Sequence, residues 1–448
     1  MLPITFIRAN ADKVKTNIIN RRFSPAKADI DKLLLLDEQK SKLQNEIDNL
    51  RARRNEIANQ LKNERNETLI NEGRALKEQV ADLEEEFAKL QNAWQEIMDW
   101  IPNMALEGVP VGKDETENVE TKAWTPKDGY VKDLTQPTST SMPTYGTNAD
   151  KEFKPRPHWE IAKELDILDL EAGARVSGSR FYYLKKEGFL LAYGIFDLLM
   201  KKIIADGFIP MDVPILVKEG ALYGSSHFPA DGDQVYKLEN QYVEEGSQLY
   251  MVGSSEPSLF AYYAGAVIEN KELPVKMMAV TPCFRSEAGS WGKDVRGMKR
   301  VHQFTKLEMD VIMEPDLNKA LEMHEYLLSI NEWLLQALKL PYHVINMCTG
   351  DLGYAAAAKK YDVEVWLPSD NAWMETMSDS ITTDFQTRRL NIKVKTQDGE
   401  KVTAYTLNDT GATHRLLIAI LEHYQQADGS VKVPDVLKPY IGKDTIQK

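Results

Sequence analysis

The chain has 448 residues, 43% of them hydrophobic and 27% charged, a balance that fits two or three soluble domains. Its net charge of -13, from 55 Lys and Arg against 68 Asp and Glu, excludes a surface coated with cations for nonspecific nucleic-acid binding and leaves only local basic patches. Two cysteines, Cys283 and Cys348, exclude a disulfide framework and a thiolate zinc site.

In chain order, the start MLPITFIRANADKVK has neither an apolar signal core nor a transit-peptide composition, and no later run approaches a membrane-spanning length. A cytoplasmic protein without membrane contact is expected. Ile4, Ile7, Val14 and Ile18 suit a short amphipathic opening element. Leu36, Leu43, Leu50 and Ile57 then recur every seven residues, with Ile47 and Leu61 on companion positions. After a polar break at 62–67, two interleaved sevens run Leu69, Leu76, Leu83, Leu90, Ile97 and Gly73, Val80, Phe87, Trp94, Ile101, up to Pro102. The spacing predicts an antiparallel helical hairpin over about 30–101, whose arms reach roughly 50 Å. Arg51, Arg53, Arg54, Lys62 and Arg65 gather near the break. By itself this pattern serves a dimerising coiled coil or a spacer as well as a nucleic-acid-binding arm.

Residues 102–157, rich in Pro, Thr, Ser and Gly, read as an irregular linker. A further domain is expected over 158–448. Phe189–Ala205 reads as a helix, and GFIPMDVPILV as a strand whose Pro210 and Pro214 keep it out of a sheet centre.

The stretch 280–312 reads as two strands joined by a Gly-rich basic loop from Ala288 to Lys299. Arg285 and Glu287 share one face of the first strand. In the second, Arg300, His302, Phe304, Lys306, Glu308 and Asp310 alternate with Val301, Leu307, Met309 and Val311, so one face is apolar and the other charged. An ordinary hairpin with a solvated face has the same pattern. A phenyl ring among ions, however, is better explained by something flat stacking on it. If the ligand is a nucleotide, Arg285 can bridge an α-phosphate and a carboxylate through its planar guanidinium, Glu287 can accept from an adenine amine, and Phe304 can stack on the base. Glu308 is a candidate acceptor for a small polar substrate. Further on, Glu375 and Ser378 in ETMSDSITTDFQTRR offer oxygen ligands for a magnesium ion that keeps several waters. Leu416, Leu417, Ile420, Leu421 and Tyr424 mark a helix with Arg415 in its first turn, where a phosphate or a surface ion pair would be equally served.

The order Phe-Arg-Ser-Glu, a Gly-rich basic loop, then Arg-Val-His-Gln-Phe-x-Lys-x-Glu resembles motif 2 of class II aminoacyl-tRNA synthetases, specifically the seryl-tRNA synthetase family. The resemblance extends from Met1 to nearly the last residue. It implies an α+β fold, with an antiparallel sheet of six or seven strands flanked by helices and an N-terminal antiparallel coiled-coil arm that binds tRNA through its basic tip. It implies a homodimer built on the helix and Pro-containing strand around 189–217. The implied reaction is ATP-dependent ligation of L-serine to the 3' end of tRNA(Ser), with tRNA(Sec) open as a second acceptor. Mg2+ would accompany ATP, and zinc is not expected. The resemblance makes Arg285 and Arg415 catalytic, with Arg415 on the γ-phosphate, and adds a nucleotide contact at Val301. It makes Glu375 and Ser378 nucleotide and metal ligands. Serine would be held by Ser254 and Glu256, in place of the family's Thr-x-Glu, together with Arg285, Glu308 and Thr410.

Two departures stand out: Ile381 occupies the position of the family's Asn, and the interval from Asn408 to Arg415 is one residue short. A noncatalytic tRNA-binding paralogue would lose the ATP ligands, which are present here. A ligase acting on a carrier protein would lack the arm.

Overall fold

The computed structural model describes residues 1–62, 65–130, 153–239, 248–288 and 296–448. These divide into two compact units, Met1–Met104 and Ala105–Lys448. The larger part of the basic loop and the Thr/Ser-rich centre of the expected linker lie outside the described residues.

In the first unit, two short helices, α1 (Ile4–Ala9) and α2 (Ala11–Asn20), precede two long ones, α3 (Ile30–Leu61) and α4 (Glu67–Asp99). Asp29 caps α3 by accepting from the Lys32 amide, and Asn66 caps α4 by accepting from Thr68 and Leu69, so the polar break also starts the second arm. The arms run antiparallel. Lys40 lies over the Trp94 ring, Arg51 bonds Glu84 and Arg53 bonds Glu72, so numbers rise on one arm as they fall on the other. The seam follows the heptads, with Leu43, Ile47 and Val80 buried against Leu50, Leu83, Phe87 and Leu90. Full burial of an isoleucine such as Ile47 or Ile57 contributes about 1.5–3 kcal/mol. Gly73 falls opposite Ile57, whose side chain would be in ordinary contact with any Cβ placed there.

The second unit is built on a nine-stranded sheet. Its strands are β1 (Val119–Thr125), β2 (Gly129–Tyr130), β3 (Ile209–Pro210), β4 (Val275–Phe284), β5 (Gln303–Met313), β6 (Tyr342–Asn346), β7 (Lys359–Leu367), β8 (Ala372–Thr383) and β9 (Tyr405–Thr413). The spatial order is β2-β1-β6-β7-β8-β9-β5-β4-β3, antiparallel except for the β3–β4 pair. The expected six or seven strands are exceeded at both edges. One edge comes from the stretch read as an irregular linker: β1 pairs with β6, and the buried His343 ring on β6 bonds Glu120 of β1 and Glu364 of β7. The Val119–Thr125 segment alternates too weakly against its Pro- and Thr-rich surroundings to read as a strand. At the other edge β3 holds Pro210, where a missing N–H breaks no ladder.

The apolar face of β5, with Leu307, Met309 and Val311, is buried with Leu199 of the helix Lys186–Ala205 and with Leu327, Leu328 and Leu334 of the helix Leu317–Ala337. The charged face is not solvated: Lys306, Glu308 and Asp310 are 6%, 2% and 0% exposed. Burying three ionisable side chains in a row is costly unless they are paired or take a ligand; Lys306 pairs with Glu308 on the same face, while both Asp310 carboxyl oxygens lack a hydrogen-bond partner among the described residues and burial pushes that carboxyl well above its ordinary range.

Candidate active site

Arg285, Glu287, Val301, Phe304, Lys306, Glu375, Thr410 and Arg415 line one cleft above the charged face. Strands β5, β8 and β9, one helix start and the connection between β4 and β5 bring them there; Arg285 and Glu287 follow the end of β4 at Phe284, so they do not share a strand face as expected. The β4–β5 hairpin supplies Arg285, Phe304 and Lys306, whose Cα partners are Thr281 and, on β9, Thr413. β8 brings Glu375, and Arg415 opens the helix Arg415–Tyr424 directly after β9.

On the nucleotide side, the Arg285 guanidinium sits 5.3 Å from the Phe304 ring centroid, and its Nε donates to the Gly253 carbonyl at 3.2 Å. Phe304 is not stranded among ions as its neighbours in sequence suggest. It is 9% exposed, belongs to the main core cluster and meets the His414 ring at 5.4 Å, so part of its burial is structural. Glu287 has a φ of 51° and lies 3.6 Å from Arg300. Arg415 donates to the Glu375 carbonyl at 2.8 Å and pairs with its carboxylate at 3.1 Å. Burial raises the Glu375 carboxyl, but Arg415 and Lys360 outweigh it and hold it at about 2, so it is ionised at neutral pH.

Glu375 and Ser378, three apart on a strand, would ordinarily face opposite sides. A bulge brings them together. Glu364 pairs with Glu375 while Asp362 pairs with Ser378, so the extra residue Thr376 returns both to one face. Ser378 is not among the residues lining the cleft; it lies farther along the same face, opposite Asp362. An ionised carboxylate and a hydroxyl on one face fit a magnesium ion that keeps most of its waters. Among the described residues no group of three His, Cys, Asp or Glu is arranged as a protein-only metal cage.

Deeper in, Lys306 pairs with Glu308 and donates to the Ser254 hydroxyl at 3.2 Å. The Glu256 carboxylate accepts at Oε1 from Tyr354, Gln386 and Asn408 at 2.8, 2.6 and 3.0 Å. Burial, aided by Glu308, raises the Glu256 carboxyl to about 7; burial also raises Glu308, with Lys306 and Arg285 pulling it back. Thr410 is the Cα partner of Glu308, because Gly411 is an extra residue at a bulge in β9.

No loop intervenes in the short interval from Asn408 to Arg415. β9 continues to Thr413, and Arg415 begins the helix with only His414 between them. Ile381 is fully buried in the main core opposite Leu407, so it occupies a packing position here.

A pinning chain was not legible in the sequence. Glu422 accepts from the His158 backbone amide, His158 Nε2 accepts from the Met298 amide at 3.0 Å, and the Met298 carbonyl bonds His414 Nε2 at 2.6 Å. These residues are 140 and 116 positions apart, so no local pattern could pair them. Tyr354 and Gln386 also escaped as partners of Glu256, since an isolated tyrosine in a loop carries no signal.

Known proteins are similar to this chain in sequence and fold. Residues 1–105 match the model of the seryl-tRNA synthetase N-terminal domain, and residues 236–424 match the tRNA synthetase class II core domain (G, H, P, S and T). A serine–tRNA ligase of Dictyoglomus turgidum is 37% identical over 100% of this chain and 99% of its own length. The chain belongs to the seryl-tRNA synthetase family. A second serine–tRNA ligase, from Treponema denticola, is 38% identical over the full length of both chains. The crystal structure of seryl-tRNA synthetase from Pyrococcus horikoshii complexed with ATP superposes with a TM-score of 0.85 at 34% identity, covering 100% of this chain and 99% of the other. The class II seryl-tRNA synthetase architecture thus accounts for the sheet, its flanking helices and the two long N-terminal helices.

Proposed function

We propose that this chain is a cytoplasmic, ATP-dependent serine–tRNA ligase. The observation that carries the reading is the convergence of Arg285, Glu287, Phe304, Glu375 and Arg415, from the end of the β4–β5 hairpin, β8 and a helix start, on one cleft also lined by Thr410, the strand partner of Glu308. A carboxylate oxygen of serine attacks the α-phosphorus of ATP, the bond to pyrophosphate breaks, and seryl-adenylate forms. The terminal 3' oxygen of tRNA(Ser) then attacks the seryl carbonyl, AMP leaves, and the hydroxyl proton departs with it. tRNA(Sec) is a second acceptor to be tried.

The two anions that must meet explain the two arginines. Arg285 spans the α-phosphate and the serine carboxylate, and as charge builds on the phosphorus oxygens its fixed fork stabilises it without reorganisation. Phe304 and Glu287 take the adenine, Val301 supports it through its backbone, and Arg415 holds the γ-phosphate. Mg2+ bound with ATP neutralises phosphate charge. Glu375 and Ser378 would hold it, and Arg415 would then exchange its present Glu375 partner for phosphate. Serine enters between Ser254, Glu256, Glu308 and Thr410. A site that hydrogen-bonds the substrate hydroxyl rejects alanine, because its own buried polar groups would be left unpaired.

A homodimer is supported by Phe189, Tyr193, Ile204 and Ile209, large apolar side chains left exposed on the helix Lys186–Ala205 and on β3. tRNA binding is supported by the basic residues Arg51, Arg53, Arg54, Lys62 and Arg65 near the end of the hairpin. Arg51 and Arg53 pair with acids of the facing arm, so Arg54, Lys62 and Arg65 are expected to carry most of the contact.

Serine-dependent ATP–pyrophosphate exchange tests the reading without tRNA. The protein should exchange strongly with serine and weakly with alanine, threonine, cysteine or glycine. Arg285→Ala should lower the rate by roughly a hundredfold or more, as loss of a transition-state donor does. A folded protein that exchanges with no amino acid would refute the reading.

A further inference from the structure

The carboxylate of Glu256 is held in an unusual way. Three donors from three separate segments converge on a single oxygen, Oε1: the Tyr354 hydroxyl, the Gln386 amide and the Asn408 amide. None of these three bonds involves Oε2. The side chains are anchored in turn. Gln386 also donates to the Ser225 carbonyl and to the Tyr354 oxygen at 2.6 Å, the single Tyr354 proton is shared between Glu256 Oε1 and that carbonyl, and the tyrosine ring packs 5.7 Å from His227. Gln386 is fully buried, and Glu256 is 5% exposed.

We propose that Tyr354 and Gln386 are positioning residues for serine recognition: they engage one oxygen of Glu256, fix its rotamer and leave the other oxygen for the substrate ammonium or hydroxyl. The inference rests on Glu256 being a serine ligand, as read above. A carboxylate with two equivalent oxygens and a free χ angle would offer the substrate several geometries. Donors gathered on one oxygen leave one. The same donors favour the charged form of Glu256, against its burial and the neighbouring Glu308. Tyr354, Gln386 and Glu256 all lie outside the cleft lining, and the two donors act on serine through their bonds to Glu256.

Tyr354→Phe removes one hydroxyl and keeps the ring against His227. In pyrophosphate exchange it should raise the KM for serine on the order of tenfold, the loss expected for one hydrogen bond to a charged group, with the KM for ATP and Tm little changed. Gln386→Met should do the same or more. The decisive measurement is the cycle with Glu256→Gln. If Tyr354 acts through Glu256, adding Tyr354→Phe to Glu256→Gln should cost nothing further. Full additivity, an equal rise in the KM for ATP, or no change in the KM for serine in Tyr354→Phe would each overturn the inference. If Glu256→Gln itself leaves the KM for serine unchanged, Glu256 is no serine ligand and the inference falls with that assignment. If Glu256→Gln raises it and Tyr354→Phe does not, only the positioning role is lost.

Discussion

Glu256 and Glu308 show how one pocket handles carboxylates that share a buried floor. Glu308 has a cation, Lys306, against it, while Glu256 has only neutral donors. Glu256 therefore rises to about 7, from burial first and then from Glu308, with Lys306 as the nearest opposing charge. The sign follows directly. Below about 7 Glu256 is protonated and cannot balance an ammonium group; above it, it can. The KM for serine should fall as pH rises through about 7, and Glu256→Gln should flatten that dependence; a profile unchanged by the substitution would exclude Glu256 as its source. Because the folded carboxyl titrates above its ordinary value, it also opposes folding increasingly as pH rises from about 4.5 to about 7.

At the scale of elements, the active site depends on how its strands and loops are tied. The return limb of the basic loop is held by the chain from Glu422 through His158 and Met298 to His414, with burial pushing the His414 imidazole down to about 3, so it stays neutral. Gly297 makes this possible. Its φ is 72°, and a Cβ there would collide with the His158 ring and crowd Trp159. Gly297→Ala should destabilise the protein by roughly 1–3 kcal/mol, from left-handed strain and overpacking. Thermal unfolding would read the loss, and the KM for ATP should rise with it, since Lys299, Arg300 and Val301 follow directly in the cleft lining. An alanine variant as stable as the parent would show that the His158 contact yields without cost.

At the scale of the whole molecule, the two units are expected to serve different steps. Charge reversal at Arg54, Lys62 and Arg65 together should weaken tRNA charging by at least about tenfold and flatten its salt dependence, while pyrophosphate exchange stays at the parental rate. Loss of exchange in that variant would mean the hairpin supports the core in some other way. For the proposed dimer, Phe189→Glu with Tyr193→Glu places charges on two exposed, stacked rings and should shift sedimentation toward the monomer. A variant that sediments as the parent would move the interface elsewhere.

The sequence by itself determined what is periodic or contiguous: the heptad arms, the charged and apolar faces of β5, and the helix after β9. Each depends on residues within a few turns or pleats, so the pattern alone carries it. The family resemblance brought distant motifs into one expected site, and the cleft unites most of those residues. Only the tertiary structure decided the rest. It placed β1 in the sheet through pairing with a strand more than two hundred residues away, turned Glu375 and Ser378 to one face through a bulge at Thr376, and buried Ile381 in the core. It also gathered Tyr354, Gln386 and Asn408 on one oxygen of Glu256. Such contacts join residues 98, 130 and 152 positions apart, and a hydrogen bond at that separation leaves no trace in local spacing; it exists only once the strands that carry its ends have packed.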